Sequence, residues 1–297
     1  MEIAICICFS KKNEKFHHRV LNNLNKLEIP QGKKIFFYLI VNENIRNIYD
    51  LSKKILKKEI NRKILYSPKK NIPASRNVFI NNIKKKKIKF IGFLDDDCKF
   101  DKKWLFKMYQ FIKKNDCDIV GGPQIHETRD KKYKDYFNFL EPKYKDKKKI
   151  RWAATNNCFF KKRFLERTGV IFDERLRNIG GSDQLFFQEL NRLGLLILWN
   201  KNSKVYEYSQ SNRENLWWFL RRNFRYGNSG LMIDTKLNGK LIGTLISIPK
   251  IFILLIFSIL SFLNVFKSKN FILSLFYLSR MAGRCASLLR IKINKYN

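Results

Sequence analysis

Three consecutive carboxylates, Asp95, Asp96 and Asp97, follow a mostly apolar run in the segment IKFIGFLDDDCKF, residues 88–100. Adjacent carboxylates repel one another, and a cation held among them relieves that repulsion. Hard divalent ions such as Mg²⁺ take oxygen ligands, often one or two carboxylates together with substrate phosphates. If the strand continues through this point, Asp95 and Asp97 face one side and Asp96 the other. The alternative is a polar turn that caps a helix and holds no ligand.

Asp183 is a second candidate for chemistry, because it follows Gly180, Gly181 and Ser182 and precedes an apolar pattern typical of a helix. A helix N-terminus favours an ionised carboxylate, which could then accept a proton as a general base. The glycine pair would also let a substrate approach the backbone closely. The alternative is that Ser182 or Asp183 is only the helix cap.

A cluster of arginines and tryptophans is the third candidate. The arginines are Arg213, Arg221, Arg222 and Arg225, and Trp217 and Trp218 lie among them. Guanidinium groups match phosphate oxygens in a bidentate fashion, so they could clamp a diphosphate leaving group opposite a metal at Asp95 and Asp97. The alternative is a basic aromatic face that lies on anionic lipid.

Strands and helices alternate as far as residue 120. Short apolar runs predict strands at 3–8, 35–41, 64–66, 88–94 and 117–120, and helical spacing recurs between several of them. Pro73 suits the first turn of a helix. The alternation predicts an α/β fold with a mostly parallel mixed sheet and helices on both faces. Residues 124–150 predict a loop-rich cover, followed by strands at 155–160, 195–199 and 205–208 and a helix near 185–193.

Composition limits the classes of partner. The 297 residues carry 61 Lys+Arg against 25 Asp+Glu, a formal net charge of +36. This excess favours polyanions: nucleic acid, anionic lipid or phosphorylated substrates. The six cysteines form no Cys-x-x-Cys pair, which argues against a zinc site and favours free thiols in a reducing compartment. The first ten residues lack the pattern of a signal peptide, so we expect the protein to start in the cytosol.

The C-terminal region is apolar but interrupted by charge. Leu241–Pro249 and Ile251–Phe266 are split by Pro249 and Lys250, and Ile251–Phe266 is shorter than the ~20 residues that span a bilayer. Arg280 and Arg284 follow the next apolar segment. We therefore expect a helical hairpin that lies in the cytoplasmic leaflet, with Arg221–Arg225 and Arg290–Lys295 as basic flanks. The alternative is a buried helical pair that packs on the rest of the protein.

Five segments together resemble a known family. They are ICIC at 5–8, NIPASRN at 71–77, FLDDD at 93–97, FDERLRNIGGSDQLF at 172–186 and WWFLRRNFRYGNS at 217–229. In order and spacing, roughly over residues 1–230, the chain resembles a family 2 glycosyltransferase of the GT-A fold, and within that family the bacterial exopolysaccharide (succinoglycan-type) glucosyltransferases. It departs from the usual pattern at Ser182, where the family has Glu, and at Asn42 or Glu43, where the family has Asp.

The resemblance implies a nucleotide-sugar donor, a Mg²⁺ or Mn²⁺ ion, and a saccharide or lipid-linked saccharide acceptor. By position, Asp97 and Asp95 would hold the metal, and Asp183 would deprotonate the acceptor hydroxyl in an inverting displacement. The positions implied to bind the donor are Arg76, Asp95, Asp96, Glu43, Arg213, Arg222 and Arg225.

The resemblance also implies a domain division and a location. Residues 1–230 would form the catalytic domain and residues 231–297 a membrane-associated hairpin on the cytoplasmic face of the bacterial inner membrane. The open alternatives are a nucleic-acid-binding protein that uses its basic surface and a metal-dependent nucleotidyltransferase. Against the first, the sequence contains no recognised nucleic-acid-binding motif, so no nucleic-acid partner is expected. The sequence also lacks a Walker loop and a dinucleotide-binding glycine fingerprint.

Overall fold

The chain forms two compact units in a computed structural model that describes residues 2–177, 179–263 and 268–291. The first unit comprises Met1–Glu127, Glu141–Glu174 and Phe186–Tyr208. The second comprises Thr128–Leu140, Arg175–Leu185 and Ser209–Asn297.

The strands belong to two sheets. In chain order they are β1 (Glu2–Phe9), β2 (Lys34–Val41), β3 (Arg62–Tyr66), β4 (Ile88–Asp95), β5 (Cys98–Phe100), β6 (Ile119–Gly121), β7 (Gln124–Glu127), β8 (Asn157–Lys161), β9 (Ile197–Trp199) and β10 (Val205–Tyr208). The main sheet has the order β3-β2-β1-β4-β8-β6-β9, and the smaller sheet has the order β5-β10-β7. In the main sheet only β8 runs antiparallel to its neighbours β4 and β6. The predicted mostly parallel mixed sheet is therefore confirmed.

The helices, in chain order, are α1 (Glu14–Leu24), α2 (Ile45–Ile55), α3 (Ile72–Ile83), α4 (Trp104–Lys114), α5 (Lys131–Leu140), α6 (Arg163–Thr168), α7 (Ser182–Arg192), α8 (Leu216–Asn238), α9 (Lys240–Leu263) and α10 (Ser268–Leu288). Alternate residues of β1 reveal the two faces of the main sheet. Ile5 packs with apolar residues of α1, α2 and α4, whereas Cys6 packs with those of α3, α6 and α7. Helices on both faces are therefore confirmed, and the core lies on either side of the sheet.

One region and two further helices differ from the expectation. Residues 124–150 were expected to be loop-rich, yet they contain β7 and α5. Strand β7 is stabilised by parallel pairing with β10, which joins about 80 residues later in the chain and leaves no local sequence signal. Helix α5 buries Tyr136 and Phe137 within a segment of mostly charged and aromatic residues, and it was not predicted. Helices α2 and α6 are additions that the sequence analysis did not assign.

The second unit is mostly helical. Helices α8, α9 and α10 pack against one another, and Phe219 and Phe276 join Tyr136 and Phe137 of α5 in an apolar cluster. Close approach of α8 and α10 depends on glycine, because a Cβ at Gly283 would overlap the carbonyl oxygen of Phe224. Helix α8 is continuous through residues 230 and 231, where the sequence analysis placed a domain boundary.

Pro249 and Lys250 do not divide the apolar region, contrary to the expectation from sequence. They lie inside α9, a continuous helix of 24 residues, about 36 Å long at 1.5 Å per residue. Packing against α8 and α10 outweighs the hydrogen bond that proline removes. Lys250 Nζ is paired with Asp234 of α8 at 2.6 Å. The predicted segment to Phe266 and the basic flank to Lys295 extend into residues 264–267 and 292–297, outside the described residues.

Candidate active site

The carboxylate run ends strand β4. Asp95 is the last residue of β4, and Asp96 and Asp97 form a turn that leads into β5. We call these three residues the carboxylate turn. The expected strand alternation of Asp95 and Asp97 is therefore wrong, because the chain leaves the main sheet at Asp95 and joins the smaller one. The Tyr208 N–H of β10 donates to the Asp97 carbonyl oxygen at 3.4 Å, which holds this turn to the smaller sheet.

Arg76 reaches Asp95 from helix α3. The first turn of α3 contains Pro73, as predicted, and the Asn71 side chain caps it by accepting the Ala74 N–H at 2.8 Å. Arg76 is buried, and its Nη2 donates to Asp95 Oδ1 at 3.3 Å. Its guanidinium also lies over the Phe172 ring, 5.5 Å from the centroid. Two of the residues predicted to bind the donor are therefore in contact with each other.

Asp96 is directed into the protein. It is 3% exposed, and its oxygens accept the Ser10 N–H at 2.7 Å and Asn13 Nδ2 at 2.6 Å. His17 Nε2 lies 3.2 Å from Asp96 Oδ2. These contacts give Asp96 a structural role at the start of α1, while its predicted contact with the donor stays a prediction.

Asp97 is also buried, at 6% exposure, beside the thiol of Cys98. Cys98 Sγ lies 3.9 Å from Asp97 Oδ1. Burial raises the pKa of the Cys98 thiol well above its usual value, and the negative charges of Asp97 and Glu207 raise it further. Cys98 therefore stays a neutral thiol, and the negative charge of this turn belongs to its carboxylates.

The carboxylates at this turn fit a divalent cation that also binds a phosphorylated ligand. Within the described residues, no group of three or more His, Cys, Asp or Glu side chains converges to hold a metal. Asp95, at the end of β4, and Asp97, in the turn itself, both offer hard oxygen donors, and Asp95 remains partly exposed. Mg²⁺ and Mn²⁺ sites commonly combine one or two carboxylates with phosphate oxygens of a substrate. The residues present therefore fit an ion shared with a phosphorylated ligand better than an all-protein cage.

A cavity of about 380 Å³ opens at the carboxyl ends of β1, β2 and β3. Its lining residues include Ser10 and His17 after β1, Asn42 and Glu43 after β2, and Lys70 after β3. Open α/β sheets bind ligands at such a position, where strand order reverses beside β1. Glu43, predicted to bind the donor, lines this cavity and lies 3.7 Å from Lys70 Nζ. Lys70 and His17 were not predicted to line a site. The only sequence signal for them is that they follow the carboxyl ends of β3 and β1.

Asp183 lies in the first turn of α7, as predicted, and is partly exposed. Ser182 Oγ donates to Asp183 Oδ1 at 3.2 Å. Gly180 and Gly181 have φ values of +90° and +82°, which glycine adopts readily. A Cβ at Gly181 would also crowd Ile233 of α8, so chain packing explains this glycine without a substrate.

The predicted arginines belong to the second unit. Arg213 ends a 3₁₀ turn before α8, whereas Arg222 and Arg225 lie on α8 and are partly exposed. Arg222 Nε donates to Tyr226 Oη at 2.7 Å, and its guanidinium lies 5.0 Å from the Trp218 ring centroid. Aromatic neighbours thus hold Arg222 in a defined orientation, and its role toward a donor stays a prediction.

Solved glycosyltransferases share this fold. S. aureus TarS 1-349, solved with UDP-GlcNAc, aligns over 77% of this chain and 67% of its own, at 14% identity and a TM-score of 0.55. The mannosyltransferase PcManGT from Pyrobaculum calidifontis, solved with GDP-Man and Mn²⁺, aligns over 98% of this chain and 88% of its own, at 11% identity and a TM-score of 0.63. The predicted GT-A type fold is confirmed.

Sequence comparison gives the same family. The succinoglycan biosynthesis protein ExoM of Rhizobium meliloti (strain 1021) is 26% identical over 247 residues, which cover 80% of this chain and 77% of that protein. The model of glycosyl transferase family 2 matches residues 4–171, more than half of the chain. This protein therefore belongs to glycosyl transferase family 2 and is a glycosyltransferase.

Proposed function

We propose that this glycosyltransferase takes its sugar from a nucleotide-sugar donor and transfers it to a hydroxyl of a saccharide acceptor in cell-surface polysaccharide synthesis. The observation that carries the proposal is the cavity at the ends of β1, β2 and β3, whose wall residues Ser10 and His17 contact the carboxylate turn. The nucleotide sugars bound by TarS and PcManGT and the biosynthetic role of ExoM support the same reading.

In this proposal the nucleoside occupies the cavity and the diphosphate lies toward the carboxylate turn. Asp97 and Asp95 would hold Mg²⁺ or Mn²⁺, which supplies charge neutralisation for the departing nucleoside diphosphate. Arg76 limits the freedom of Asp95 through their hydrogen bond. Arg213, Arg222 and Arg225 would contribute positive charge to the diphosphate, for which a bidentate guanidinium is well suited.

Asp183 would act as the general base of an inverting single displacement. The acceptor oxygen bonds to the anomeric carbon, the bond from that carbon to the diphosphate oxygen breaks, and the hydroxyl proton passes to the Asp183 carboxylate. The first-turn position of Asp183 supports this role, because a helix N-terminus stabilises the ionised form.

Binding and turnover measurements separate these roles. Wild-type protein titrated with UDP and GDP, and with their sugars, should bind one of them more tightly when Mn²⁺ or Mg²⁺ is present. Asp97→Asn should lose this metal enhancement, whereas Asp116→Asn, at an exposed carboxylate paired with Lys161, serves as the matched control. Asp183→Asn should keep donor binding and lose about 10²–10⁴-fold in transfer rate.

Three results would each contradict one part of the proposal. Absence of nucleotide binding by the wild type, with and without metal, would remove the donor assignment. Wild-type turnover by Asp183→Asn would remove that carboxylate from the mechanism. Full activity after exhaustive chelation would remove the metal.

We further propose that the C-terminal region binds the cytoplasmic face of an anionic membrane, where a lipid-linked acceptor would be found. Helix α9 is long and apolar enough to cross a membrane: its most apolar 18 residues have a mean hydropathy of 2.4, and 17% of them are buried. Its exposed large apolar side chains include Leu245, Phe252, Phe257 and Leu260. On α8, Trp217 is 67% exposed beside basic residues, as expected at a bilayer interface.

Pairing inside the second unit supports this membrane proposal. Lys250 and Arg284 would be costly in an apolar layer if unpaired. Both contact the Asp234 carboxylate, Lys250 at 2.6 Å and Arg284 at 2.9 Å. Flotation of the full chain with vesicles that contain anionic lipid, but weakly with neutral vesicles, would support the proposal. A full chain that stays monodisperse without detergent and does not float would contradict it.

A further inference from the structure

Asp96 is the most buried of the three adjacent carboxylates, at 3% exposure, and its contacts are with residues near the start of α1. Oδ2 accepts the Ser10 N–H at 2.7 Å and faces His17 Nε2 at 3.2 Å, while Oδ1 accepts Asn13 Nδ2 at 2.6 Å. These three partners precede Asp96 by 79 to 86 residues. We call Asp96, Ser10, Asn13 and His17 the Asp96 lock.

The environment of His17 defines what its ring contributes. His17 is buried, and Nε2 lies 3.1 Å from the Ser10 carbonyl oxygen as well as 3.2 Å from Asp96 Oδ2. Both of these neighbours are acceptors, so we assign the proton to Nε2, which donates to them. In the described part of the chain, Nδ1 is buried without a hydrogen-bond partner. The ring also packs edge-on against Phe9, with centroids 4.8 Å apart.

The Asp96 lock joins two parts of the proposed donor site. Ser10 and His17 line the 380 Å³ cavity, and Asp96 lies between Asp95 and Asp97 in the chain. Because Asp96 belongs to a tight turn, fixing its side chain restricts the directions available to the carboxylates on either side. A displacement of a few tenths of an ångström at such a site weakens binding that depends on both parts.

We propose that the Asp96 lock couples the nucleoside cavity to the carboxylate pair, and that His17 is a positioning residue for metal-dependent donor binding. This inference rests on the proposed function. It assigns His17 no contact with the reacting atoms. Its measurable consequence is the metal enhancement, the factor by which Mn²⁺ tightens nucleoside diphosphate binding. Such a factor reports the coupling between two binding events.

Two substitutions at His17 separate hydrogen bonding from packing. His17→Phe keeps an aromatic ring against Phe9 but removes the Nε2 donor. His17→Gln loses the ring but keeps an N–H donor that can reach Asp96. His18→Phe is the matched control, because His18 is exposed and its identified contact is with Asn22 on its own helix.

Calorimetric titration with UDP and GDP, with and without Mn²⁺, measures nucleotide binding by each full-length variant. The midpoint of thermal unfolding is measured for the same variants. We expect His17→Phe to reduce the metal enhancement by about tenfold or more, His17→Gln to keep it within about threefold, and His18→Phe to match the wild type. Asn13→Ala, at a partly exposed residue, should reduce the enhancement in the same direction. It provides the test if His17→Phe does not fold.

The outcomes distinguish the two proposals. Wild-type binding with an enhancement that is unchanged in His17→Phe, or in Asn13→Ala if the former is unfolded, would overturn the Asp96 lock alone. A lower thermal midpoint with an unchanged enhancement would assign these residues to folding only and would equally overturn it. No nucleotide binding by the wild type would overturn the proposed function and this inference together.

Discussion

Asp234 is the buried anion of the helical second unit, and its replacement by Asn tests how that unit is held together. Its carboxylate on α8 contacts Lys250 Nζ of α9 at 2.6 Å and Arg284 Nη1 of α10 at 2.9 Å. Arg284 Nη1 also donates to Ser247 Oγ. Asp234→Asn preserves the shape of the side chain, removes the charge and leaves one acceptor oxygen for two cations.

The two cations should respond differently. The Lys250 side chain is 41% exposed, so it can turn toward solvent at a cost of about 0–1 kcal/mol. The Arg284 side chain is 12% exposed and cannot do so. Leaving a buried charge without its partner costs about 3–5 kcal/mol, and the remaining Asn oxygen places this case near 3 kcal/mol. We therefore expect a loss of about 3–4 kcal/mol, which corresponds to a fall of roughly 10 °C in thermal midpoint.

Thermal unfolding followed by circular dichroism, in one detergent for all variants, measures the change. Asp135→Asn is the control, because the partly exposed Asp135 pairs with the exposed Lys269 of the same unit, and its loss should cost under about 1 kcal/mol. The double variant Asp234→Leu with Arg284→Met should recover much of the loss, since apolar replacement of a buried pair is often neutral. An equal midpoint shift for Asp234→Asn and Asp135→Asn would refute the reasoning. A double variant no more stable than Asp234→Asn would refute it as well.

Further predictions concern packing, capping and thiol chemistry. Gly283→Ala should force α10 away from the Phe224 carbonyl of α8 and cost about 3 kcal/mol, seen as a lower thermal midpoint. Asn71→Ala should remove the cap of α3 and cost about 1 kcal/mol in the same assay; an unchanged midpoint would argue against the cap. Burial raises the pKa of Cys117 to about 11, so maleimide at pH 8 should label the partly exposed Cys8 well before Cys117. Equal native labelling rates by mass spectrometry would contradict this last prediction.

The main sheet was predictable because its central strands are apolar and mostly buried. The runs at β1, β2 and β4 stand out from flanking lysines and asparagines, and Asn71 with Pro73 marks the start of α3. Helix α2 carried a usable signal in Ile45, Ile48 and Ile55 that the sequence analysis did not use. Strand β7 carried little, because its stability comes from pairing with β10.

The candidate site was predictable in its residue types and less so in its geometry. Asp95 and Arg76 were both predicted to bind the donor, and the structure brings them to 3.3 Å. A turn at the carboxylates was left as an alternative to a continuing strand, because the turn depends on β5 joining the smaller sheet, which has no local sequence signal. The contact of His17 with Asp96 joins residues 79 positions apart, and a single sequence has no local signal for such a pair.

The acidic residues of this basic chain are buried in greater proportion than its basic residues. Four acidic side chains, Asp96, Asp97, Glu207 and Asp234, are among the buried described residues, against two basic ones. Yet the chain has 25 acidic and 61 basic residues, so acids are buried far more often in proportion. A buried carboxylate is stable only with hydrogen-bond donors or cations around it. Asp96 accepts hydrogen bonds from Ser10 and Asn13, and Asp234 contacts Lys250 and Arg284. The basic excess is thereby left mainly at the surface, where it attracts polyanions without adding buried charge.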